Sequence, residues 1–279
     1  MKIITALLMS LALAAAADQP KRIVSLSPDL TEMIYAVGAL NRVVGVSDYE
    51  TYPPEAMQLP KLGGLLNPNL EKLMAMRPDL VILNDGQAPF LEEKLKDLGM
   101  HILRTSNKSL PQVYESIITI GKATGNEAQA GKVAAATREG VERVSRKTAR
   151  LPKVRVVLII DRTPGTLRDL YTATGGSFLA EVVEAAGGQI IVPPTKRGYA
   201  KLSKEDMLAA NPDVILDFIH GPKSRLAGDP LEAWQAMPEL KAVRTKRVYG
   251  VKEDYVPHAS QRVALTAELF ARLIHPEAK

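Results

Sequence analysis

Acidic and histidine side chains that could do chemistry follow the apolar strands predicted in the second half of the chain. His220 and His258 each come after such a strand, and the carboxylates that could act beside them are those of Asp161, Asp217 and Asp254. A carboxylate and a histidine in contact can serve as general base and acid, with pKa values shifted to suit the task. One interpretation is therefore an enzyme of two α/β lobes.

The motifs that identify most catalytic and phosphate-binding sites are missing from the sequence. There is no Gly-rich phosphate loop, G-x-G-x-x-G, G-x-S-x-G or H-E-x-x-H. The four histidines show no metal-ligand spacing, although His220 and His258 could converge, and there is no cysteine to serve as nucleophile, metal ligand or disulfide partner. We therefore expect no catalytic residue, no metal site and no resident cofactor, and a protein that is not an enzyme.

One fifteen-residue phrase occurs twice in the chain. Residues 70–84 (LEKLMAMRPDLVILN) and residues 204–218 (KEDMLAANPDVILDF) align without a gap, so that Glu71 aligns with Glu205 and each copy has Pro-Asp at the same place. Each copy predicts a short amphipathic helix, a break at the proline, and an apolar strand buried on both faces of a parallel sheet. Two copies predict two similar α/β lobes with a ligand cleft between them.

The predicted elements divide the chain into four parts. Residues 1–17 have a positive start, an apolar stretch and an Ala-Ala-Ala cleavage site, which predict a signal peptide. The N-terminal lobe (18–108) and the C-terminal lobe (151–279) alternate strands and helices, which is typical of Rossmann-like layers with parallel sheets. Residues 109–150 are helical in pattern, with a potential break at Gly125 and Asn126, and predict a helical spine that joins the lobes.

Charge and cysteine content limit the partners and the location. The formal net charge is +5, but the lysines and arginines are scattered and aromatic residues make up only 5%. Nucleic-acid binding needs a basic stripe with interleaved aromatic residues, so we expect no nucleic-acid partner. With a cleavable signal peptide and no cysteine to carry a lipid, we expect a soluble periplasmic monomer without a lipid anchor.

A family resemblance extends from about Arg22 to the C-terminal helix. The stretch RIVSLSPDLTEMIYAVGALNRVVGVSDYETYPPEA and the phrase NPNLEKLMAMRPDLVIL resemble periplasmic binding proteins of the cobalamin, haem and siderophore group. These proteins serve ABC importers, and a single long helix joins their two lobes. The SDYETYPP stretch looks most like the cobalamin-binding members. The resemblance implies a carrier that delivers cobalamin or a related corrinoid to an importer, with haem or a ferric siderophore as the alternative ligand.

The resemblance also implies which side chains contact the ligand. Tyr49 matches a tyrosine that touches the corrin ring, and Tyr171 and Tyr199 fall where the family has further aromatic residues, in loops that we predict at strand ends. Flat rings suit stacking against a macrocycle. Leu65 stands where the cobalamin binder has a tryptophan, so the stacking surface differs there. The implied ligand-binding residues are Tyr49, Leu65, Tyr171, Tyr199, Asp254, Tyr255 and His258.

A docking role is implied for Glu71 and Glu205, which match glutamates that meet arginines of the transmembrane subunits. One carboxylate on each lobe can pair bidentately with one arginine on each half of a two-fold transporter. Such pairs set register and encounter rate more than affinity. A negative charge in the first turn of a helix also favours the helix dipole, but that effect does not require glutamate in both copies.

The identity of the ligand stays open because of four cations in predicted loops of the second lobe. Haem propionates and ferric siderophores are anionic and would be attracted to them, whereas cobalamin is nearly neutral. Tyr49 or His258 could also ligate a haem iron. A solvated basic rim is the alternative explanation of these cations, which are Arg162, Arg168, Lys196 and Arg197.

Overall fold

The chain folds as an α/β protein with two compact units. The computed structural model describes residues 19–218 and 230–278, so the predicted signal peptide and His220 lie outside the described residues. Of the described residues, the first unit comprises those up to Arg104 together with Thr119–Ala130, and the second comprises Thr105–Ile118 together with those from Gly131 onward. In the part of the chain that is described, no helix is both long and apolar enough to cross a membrane.

The first unit is built on a four-stranded sheet in which the central strand pairs in parallel with its two neighbours. In chain order its strands are β1 (Ile23–Ser25), β2 (Val43–Gly45), β3 (Leu80–Asn84) and β4 (Ile102–Thr105), and their order in the sheet is β2-β1-β3-β4. Every residue of β1 and β3 is buried, as the unbroken apolar runs predict. The helices of this sheet are α1 (Pro28–Ala36), α2 (Pro54–Met57), α3 (Leu70–Ala75) and α4 (Ala88–Asp97).

The predicted helical spine consists of two helices, which meet at the potential break. They are α5 (Leu110–Ala123) and α6 (Glu127–Thr148). The chain turns between them at Gly125, whose φ of +67° is a left-handed conformation that favours glycine. The backbone N–H of Asn126 then donates to the Gly121 carbonyl at 2.7 Å and Ala130 N–H donates to Asn126, so α6 starts at once. The break marked by Gly125 and Asn126 is therefore real.

The second unit contains a six-stranded sheet that is mixed rather than wholly parallel. Its strands are β5 (Val154–Asp161), β6 (Leu170–Ala173), β7 (Gly188–Ile190), β8 (Tyr199–Leu202), β9 (Val214–Phe218) and β10 (Val248–Val251). The main order is β10-β9-β5-β6-β8, and β7 pairs with β5. The strand β5 is parallel to β7 and β9, whereas β6 runs antiparallel to β5 and β8. The connection 162–169 is too short for a parallel crossover, which needs a dozen or more residues.

The helices of the second unit complete its layers. A core of buried side chains packs against β5 and β9, with Trp234 and Met207 at its centre and both fully buried. Burying an aromatic side chain of this size is among the larger apolar contributions that one residue can make. These helices are α7 (Phe178–Ala185), α8 (Lys204–Ala210), α9 (Pro230–Trp234), α10 (Lys241–Arg244) and α11 (Val263–Ile274).

The repeated phrase takes the same conformation in both units. The first copy forms α3 and β3, and the second forms α8 and β9. After each helix, a residue with positive φ stands just before the Pro-Asp pair: Arg77 at 47° and Asn211 at 38°. Leu73 and Met207 are equivalent by alignment, and both are fully buried. The predicted helix, break and strand are confirmed in each unit.

The aspartate of each copy joins its strand to the strand next to it. The Asp79 carboxylate accepts the backbone N–H groups of Lys21 and Arg22 at 2.7 and 2.9 Å, and its own N–H donates to the Arg22 carbonyl at 3.0 Å. Asp213 repeats the arrangement with Arg155, at 3.0 Å through its carboxylate and 2.9 Å through its N–H. Both aspartates therefore fix the backbone that enters β1 or β5.

The arginines at the starts of these strands form a second link, to the ends of the repeat helices. Arg22 Nε donates to the Met76 carbonyl at 2.8 Å, and Arg155 Nη2 donates to the Ala210 carbonyl at 2.7 Å. Met76 and Ala210 hold equivalent places at the ends of α3 and α8, where helix carbonyls lack intrahelical partners. Each repeat helix is thus anchored to the neighbouring strand through an arginine, and each Pro-Asp through an aspartate.

Replacing Asp213 with alanine should lower the free energy of unfolding by about 1–3 kcal/mol, because the Arg155 N–H loses its acceptor. Burial alone would raise the pKa of Asp213, but the Lys241 ammonium and the Arg155 N–H lower it below its ordinary value of 3.8. The difference in unfolding free energy between the wild type and Asp213→Ala should therefore be largest at neutral pH. It should decrease as the pH falls through this lowered pKa.

Urea denaturation followed by circular dichroism at several pH values measures this gap. Asp97→Ala is the control, because Asp97 is an exposed residue near the end of α4. Its unfolding curve should match that of the wild type. A gap for Asp213→Ala that stays constant down to acid pH would contradict the assigned role of the carboxylate.

Candidate functional site

Buried polar side chains meet where β1 and β3 end in the first unit. Ser27 Oγ donates to the Asp29 carboxylate, and the Asn84 amide nitrogen lies 3.5 Å from the other oxygen of Asp29. The sequence analysis missed this cluster, although polar residues directly after two buried strands were a usable signal. Ligands of α/β sheets bind outside the carboxyl ends of strands, so this is the edge at which a site is expected.

Gln87 connects that edge to the loop of Leu65. Gln87 is buried at the start of α4, and its Nε2 donates to the carbonyls of Leu26 at 2.7 Å and Leu65 at 2.9 Å. The Leu65 side chain is exposed, and so is Phe90, at 51%, one turn along α4 from Gln87. Gln87 therefore fixes the backbone of one candidate ligand residue, and Phe90 adds an exposed ring that the sequence analysis did not single out.

The loop of Tyr49 is tied to the same segment. Asp48 N–H donates to the Gly63 carbonyl at 3.0 Å, and Gly63 N–H donates to the Asp48 carboxylate at 2.9 Å. On the other side of Tyr49, the buried side chains of Ser47 and Glu50 form a hydrogen bond of 2.8 Å. The Tyr49 side chain is 58% exposed between these two fixed points. The structure therefore brings the loops of Tyr49 and Leu65 together.

Tyr171 and Tyr199 lie in strands of the second unit, not in the strand-end loops that the sequence analysis predicts. Tyr171 in β6 pairs with Lys201 of β8, and Ala173 pairs with Tyr199. The two tyrosines are therefore diagonal neighbours on one face of the sheet, about 7–8 Å apart. The prediction was wrong because four-residue strands carry little alternation of their own and become evident only through their partners.

The segment of Asp254, Tyr255 and His258 is organised by Arg262, which the sequence analysis also missed. Arg262 Nη2 lies 3.1 Å from the Asp254 carboxylate, and its guanidinium lies 4.8 Å from the centre of the Tyr255 ring. His258 N–H donates to the Tyr255 carbonyl at 3.1 Å. Burial is the main cause that raises the pKa of Tyr255. The carboxylate and the ring are thus engaged within the chain, and the segment has a fixed conformation.

Asp217 is a structural carboxylate with a cation beside it. It is fully buried, and Arg162 Nε lies 2.8 and 3.1 Å from its two oxygens, while Trp234 Nε1 donates at 2.8 Å. Burial raises the pKa of Asp217, and the Arg162 charge and these hydrogen bonds oppose the rise. Its side-chain hydrogen-bond partners among the described residues are Arg162 and Trp234, and the candidate His220 lies outside the described residues.

The other charged candidates of the second unit differ in exposure and in ion pairing. Asp161 is exposed at the end of β5. Arg162 is one of the four cations considered for an anionic ligand, and its ion pair with Asp217 offsets its charge within the chain. Arg168, Lys196 and Arg197 are exposed. Within residues 19–218 and 230–278, no cluster of three acidic or histidine side chains is placed to hold a metal ion.

Glu71 and Glu205 occupy equivalent exposed positions in the first turns of α3 and α8. Neither is needed to cap its helix. Asn69 caps α3 by accepting the Lys72 N–H at 2.8 Å, and Ser203 caps α8 in a reciprocal box with Asp206. The cap supplies the missing hydrogen bonds of a helix start. Helix capping therefore does not explain the presence of the two glutamates.

The fold and the family can now be identified together. A family model described as periplasmic binding protein matches residues 23–255, which is most of the chain. The chain therefore belongs to the periplasmic binding protein family, whose members are substrate-binding proteins of transport systems and not enzymes. The family resemblance seen in the sequence is confirmed.

Individual relatives narrow the class to ABC transport. An uncharacterised ABC transporter substrate-binding lipoprotein of Bacillus subtilis is 30% identical over 264 residues, which cover 93% of this chain and 81% of the relative. The vitamin B12-binding protein of Vibrio cholerae is 29% identical over 243 residues, covering 87% and 84% of the two chains. The protein is thus a substrate-binding protein of the ABC transporter type.

Solved structures share the fold. The crystal structure of a periplasmic vitamin B12-binding protein of Vibrio cholerae matches with a TM-score of 0.79 and 27% identity, covering 92% of this chain and 97% of that one. A periplasmic haem-binding protein of Roseiflexus sp. RS-1 matches with a TM-score of 0.80 at 23% identity, covering 93% and 99%. At that identity the second match shows the fold alone.

Replacing Arg162 with methionine should lower the free energy of unfolding by about 3–5 kcal/mol at neutral pH, because Asp217 is left buried without its counter-ion. The loss of Arg162 also raises the pKa of Asp217 further. A carboxyl group with a raised pKa favours the folded state at low pH and loses that contribution as the pH rises through the raised value. The deficit of Arg162→Met should therefore narrow on acidification.

Chemical denaturation of Arg162→Met at neutral and mildly acidic pH measures the deficit. Arg168→Met is the matched control, because Arg168 is an exposed arginine in the same loop, and it should unfold like the wild type. If the two variants were equally stable, the Arg162–Asp217 pair would not have the structural role assigned to it.

Proposed function

We propose that this substrate-binding protein carries cobalamin or a related corrinoid. The observation that supports this most directly is Tyr49, an exposed ring on a loop held at both sides by hydrogen bonds. A loop that is ordered before binding loses little entropy when a macrocycle stacks on the flat ring that it carries. The sequence match and the solved structure from Vibrio cholerae that are named vitamin B12-binding proteins, at 29% and 27% identity, support the same ligand class.

The second unit presents tyrosines that suit the same ligand. Tyr171 and Tyr199 share one face of the β6–β8 pair, and each phenol has a hydroxyl that can reach the peripheral amides of a corrinoid. Asp254, Tyr255 and His258 form a segment whose conformation Arg262 fixes. We propose that these residues, together with Tyr49 and Leu65, contact the ligand.

Charge is the observation that distinguishes the alternative ligands. Of the four cations considered, Arg162 is neutralised by Asp217, which reduces the attraction for an anionic ligand. The exposed Arg168, Lys196 and Arg197 favour haem or a ferric siderophore as the second candidate. Leu65 in place of an aromatic side chain also removes one stacking surface that a corrinoid would use. We favour the corrinoid because the three tyrosines lie on an ordered loop and on paired strands and because one of the cations is paired with Asp217.

The protein delivers its ligand, in this proposal, to the transmembrane subunits of an ABC importer. Glu71 and Glu205 are exposed, equivalent and not required as helix caps, so they can pair with arginines of two equivalent subunits. This partner requires that the chain acts outside the cytoplasmic membrane, as the name of the Vibrio cholerae structure says of that protein. The relative from Bacillus subtilis is named a lipoprotein, whereas the present chain contains no cysteine.

Titration of the purified protein with cyanocobalamin, haemin and a ferric siderophore by calorimetry should show tightest binding of cyanocobalamin. Tyr49→Ala should then weaken cyanocobalamin binding about 3- to 10-fold, the value of one aromatic stacking contact beyond area burial. Tyr49→Phe keeps the ring and should bind within about 3-fold of the wild type, since one neutral hydrogen bond is worth little net.

Tyr249→Ala is the control for the loss of a tyrosine outside the proposed site, because Tyr249 lies in β10 and pairs with Leu216. Its affinity for cyanocobalamin should not change. Unchanged affinity of Tyr49→Ala would remove Tyr49 from the site. Absence of heat with all three ligands would overturn the ligand class.

Reversing both docking charges, in Glu71→Lys/Glu205→Lys, should abolish uptake of cyanocobalamin by cells while calorimetry shows unchanged ligand affinity. The substituted lysines would face the partner's arginines, and like charges at an interface disfavour the complex. Glu93→Lys/Glu239→Lys is the control with the same change of net charge at exposed glutamates elsewhere. Normal uptake by the first variant, or weakened ligand binding, would contradict the docking role.

A further inference from the structure

Each repeat helix exposes a large apolar side chain at the same aligned position. Met74 in α3 is 38% exposed, and Leu208 in α8 is 44% exposed. The alignment of the two phrases places Met74 opposite Leu208, just as it places Glu71 opposite Glu205. A single exposed apolar residue is common on protein surfaces and needs no explanation. Two at matched positions of a repeat, each close to an exposed glutamate, are a different observation.

The core does not account for Met74 and Leu208. The apolar position that each helix turns toward its own sheet is the preceding one, since Leu73 and Met207 are fully buried. Met74 and Leu208 instead lie three residues after Glu71 and Glu205. Residues three and four apart are neighbours on a helix surface, with Cβ atoms about 5–6 Å apart. The carboxylate and the apolar side chain therefore share a face in each unit.

A third residue belongs to the same face. Ala75 and Ala209 lie four residues after the glutamates and are also exposed. An alanine leaves the helix backbone accessible to a partner side chain. We name the two faces the repeat faces: Glu71, Met74 and Ala75 in the first unit, and Glu205, Leu208 and Ala209 in the second.

One exposed position in the same helices differs between the two copies. The residue after each glutamate is Lys72 in the first copy and Asp206 in the second, so its charge is reversed. Lys72 donates to the Lys61 carbonyl, whereas Asp206 takes part in the cap of α8. The two repeat faces, in contrast, have the same kinds of residue in both copies: a glutamate, a large apolar side chain (methionine or leucine) and an alanine.

We propose that the two repeat faces are two copies of one docking surface, which fits a partner that presents an arginine beside an apolar pocket on each of two equivalent subunits. This inference rests on the proposed docking of Glu71 and Glu205, and it adds an apolar contact made by Met74 and Leu208. An exposed ion pair contributes little by itself, because water screens it. An apolar contact beside the pair excludes water and strengthens the pair. Duplication of the surface fits a partner with two equivalent subunits.

The test measures binding to the ABC importer of the same cells, reconstituted in nanodiscs, by surface plasmon resonance. Met74→Ser/Leu208→Ser should bind the importer at least about tenfold more weakly, mainly through faster dissociation, because mutations within one interface act mostly on the dissociation rate. Cyanocobalamin affinity by calorimetry should be unchanged. The matched control is Met57→Ser/Leu265→Ser, which replaces a methionine and a leucine that are similarly exposed on α2 and α11, and it should bind the importer like the wild type.

Salt dependence separates the two halves of the surface. Glu71→Lys/Glu205→Lys should lose binding that is sensitive to ionic strength, whereas the residual binding of Met74→Ser/Leu208→Ser should stay sensitive to ionic strength, because both glutamates remain. If the glutamate variant fails to bind and the apolar variant binds normally, this inference is wrong and the proposed docking stands. If the glutamate variant binds normally, the proposed docking is wrong. An apolar variant no weaker than its control overturns the inference in every case.

Discussion

The aspartate that follows the proline in each repeat copy is the interaction on which both sheets depend. Asp79 and Asp213 each accept backbone N–H groups at the start of the neighbouring strand and donate their own N–H to its carbonyl. This exchange sets which residue of β1 faces β3 and which residue of β5 faces β9. A slip of one residue would turn the buried face of a strand outward. The strand ends, and the loops that carry the candidate ligand residues, follow from that register.

The loops at those strand ends are ordered by a few buried polar groups. In the first unit, Gln87 holds the backbone at Leu65, and Asp48 and Gly63 hold the loop of Tyr49. In the second, the Arg162–Asp217 pair with Trp234 joins the ends of β5 and β9 to α9. A buried polar group without a partner is costly, so these contacts impose one conformation. The candidate ligand side chains Tyr49 and Leu65 remain exposed on loops that these contacts hold.

Much of the fold was predictable from local sequence, and the candidate site only in part. The helix, break and strand of each repeat copy were correct because apolar periodicity and a proline act over a few residues. The antiparallel β6 and β8 were missed because four-residue strands have little pattern of their own. Gln87, Phe90 and Arg262 were missed because their importance arises from partners distant in the chain, such as Leu65 for Gln87. The family resemblance supplied the candidate tyrosines and glutamates.

The sequence by itself determined that this protein has two α/β units, because the repeated phrase encodes one supersecondary unit twice through local propensity and apolar patterning. It also determined which charges and rings exist. Only the tertiary structure decided which of these side chains are paired within the chain and which are exposed to a partner. Arg162 is occupied by an aspartate 55 residues away, whereas Met74 and Leu208 remain exposed on matched faces. The physical reason is that pairing and burial depend on which strands become neighbours, and local sequence does not encode that.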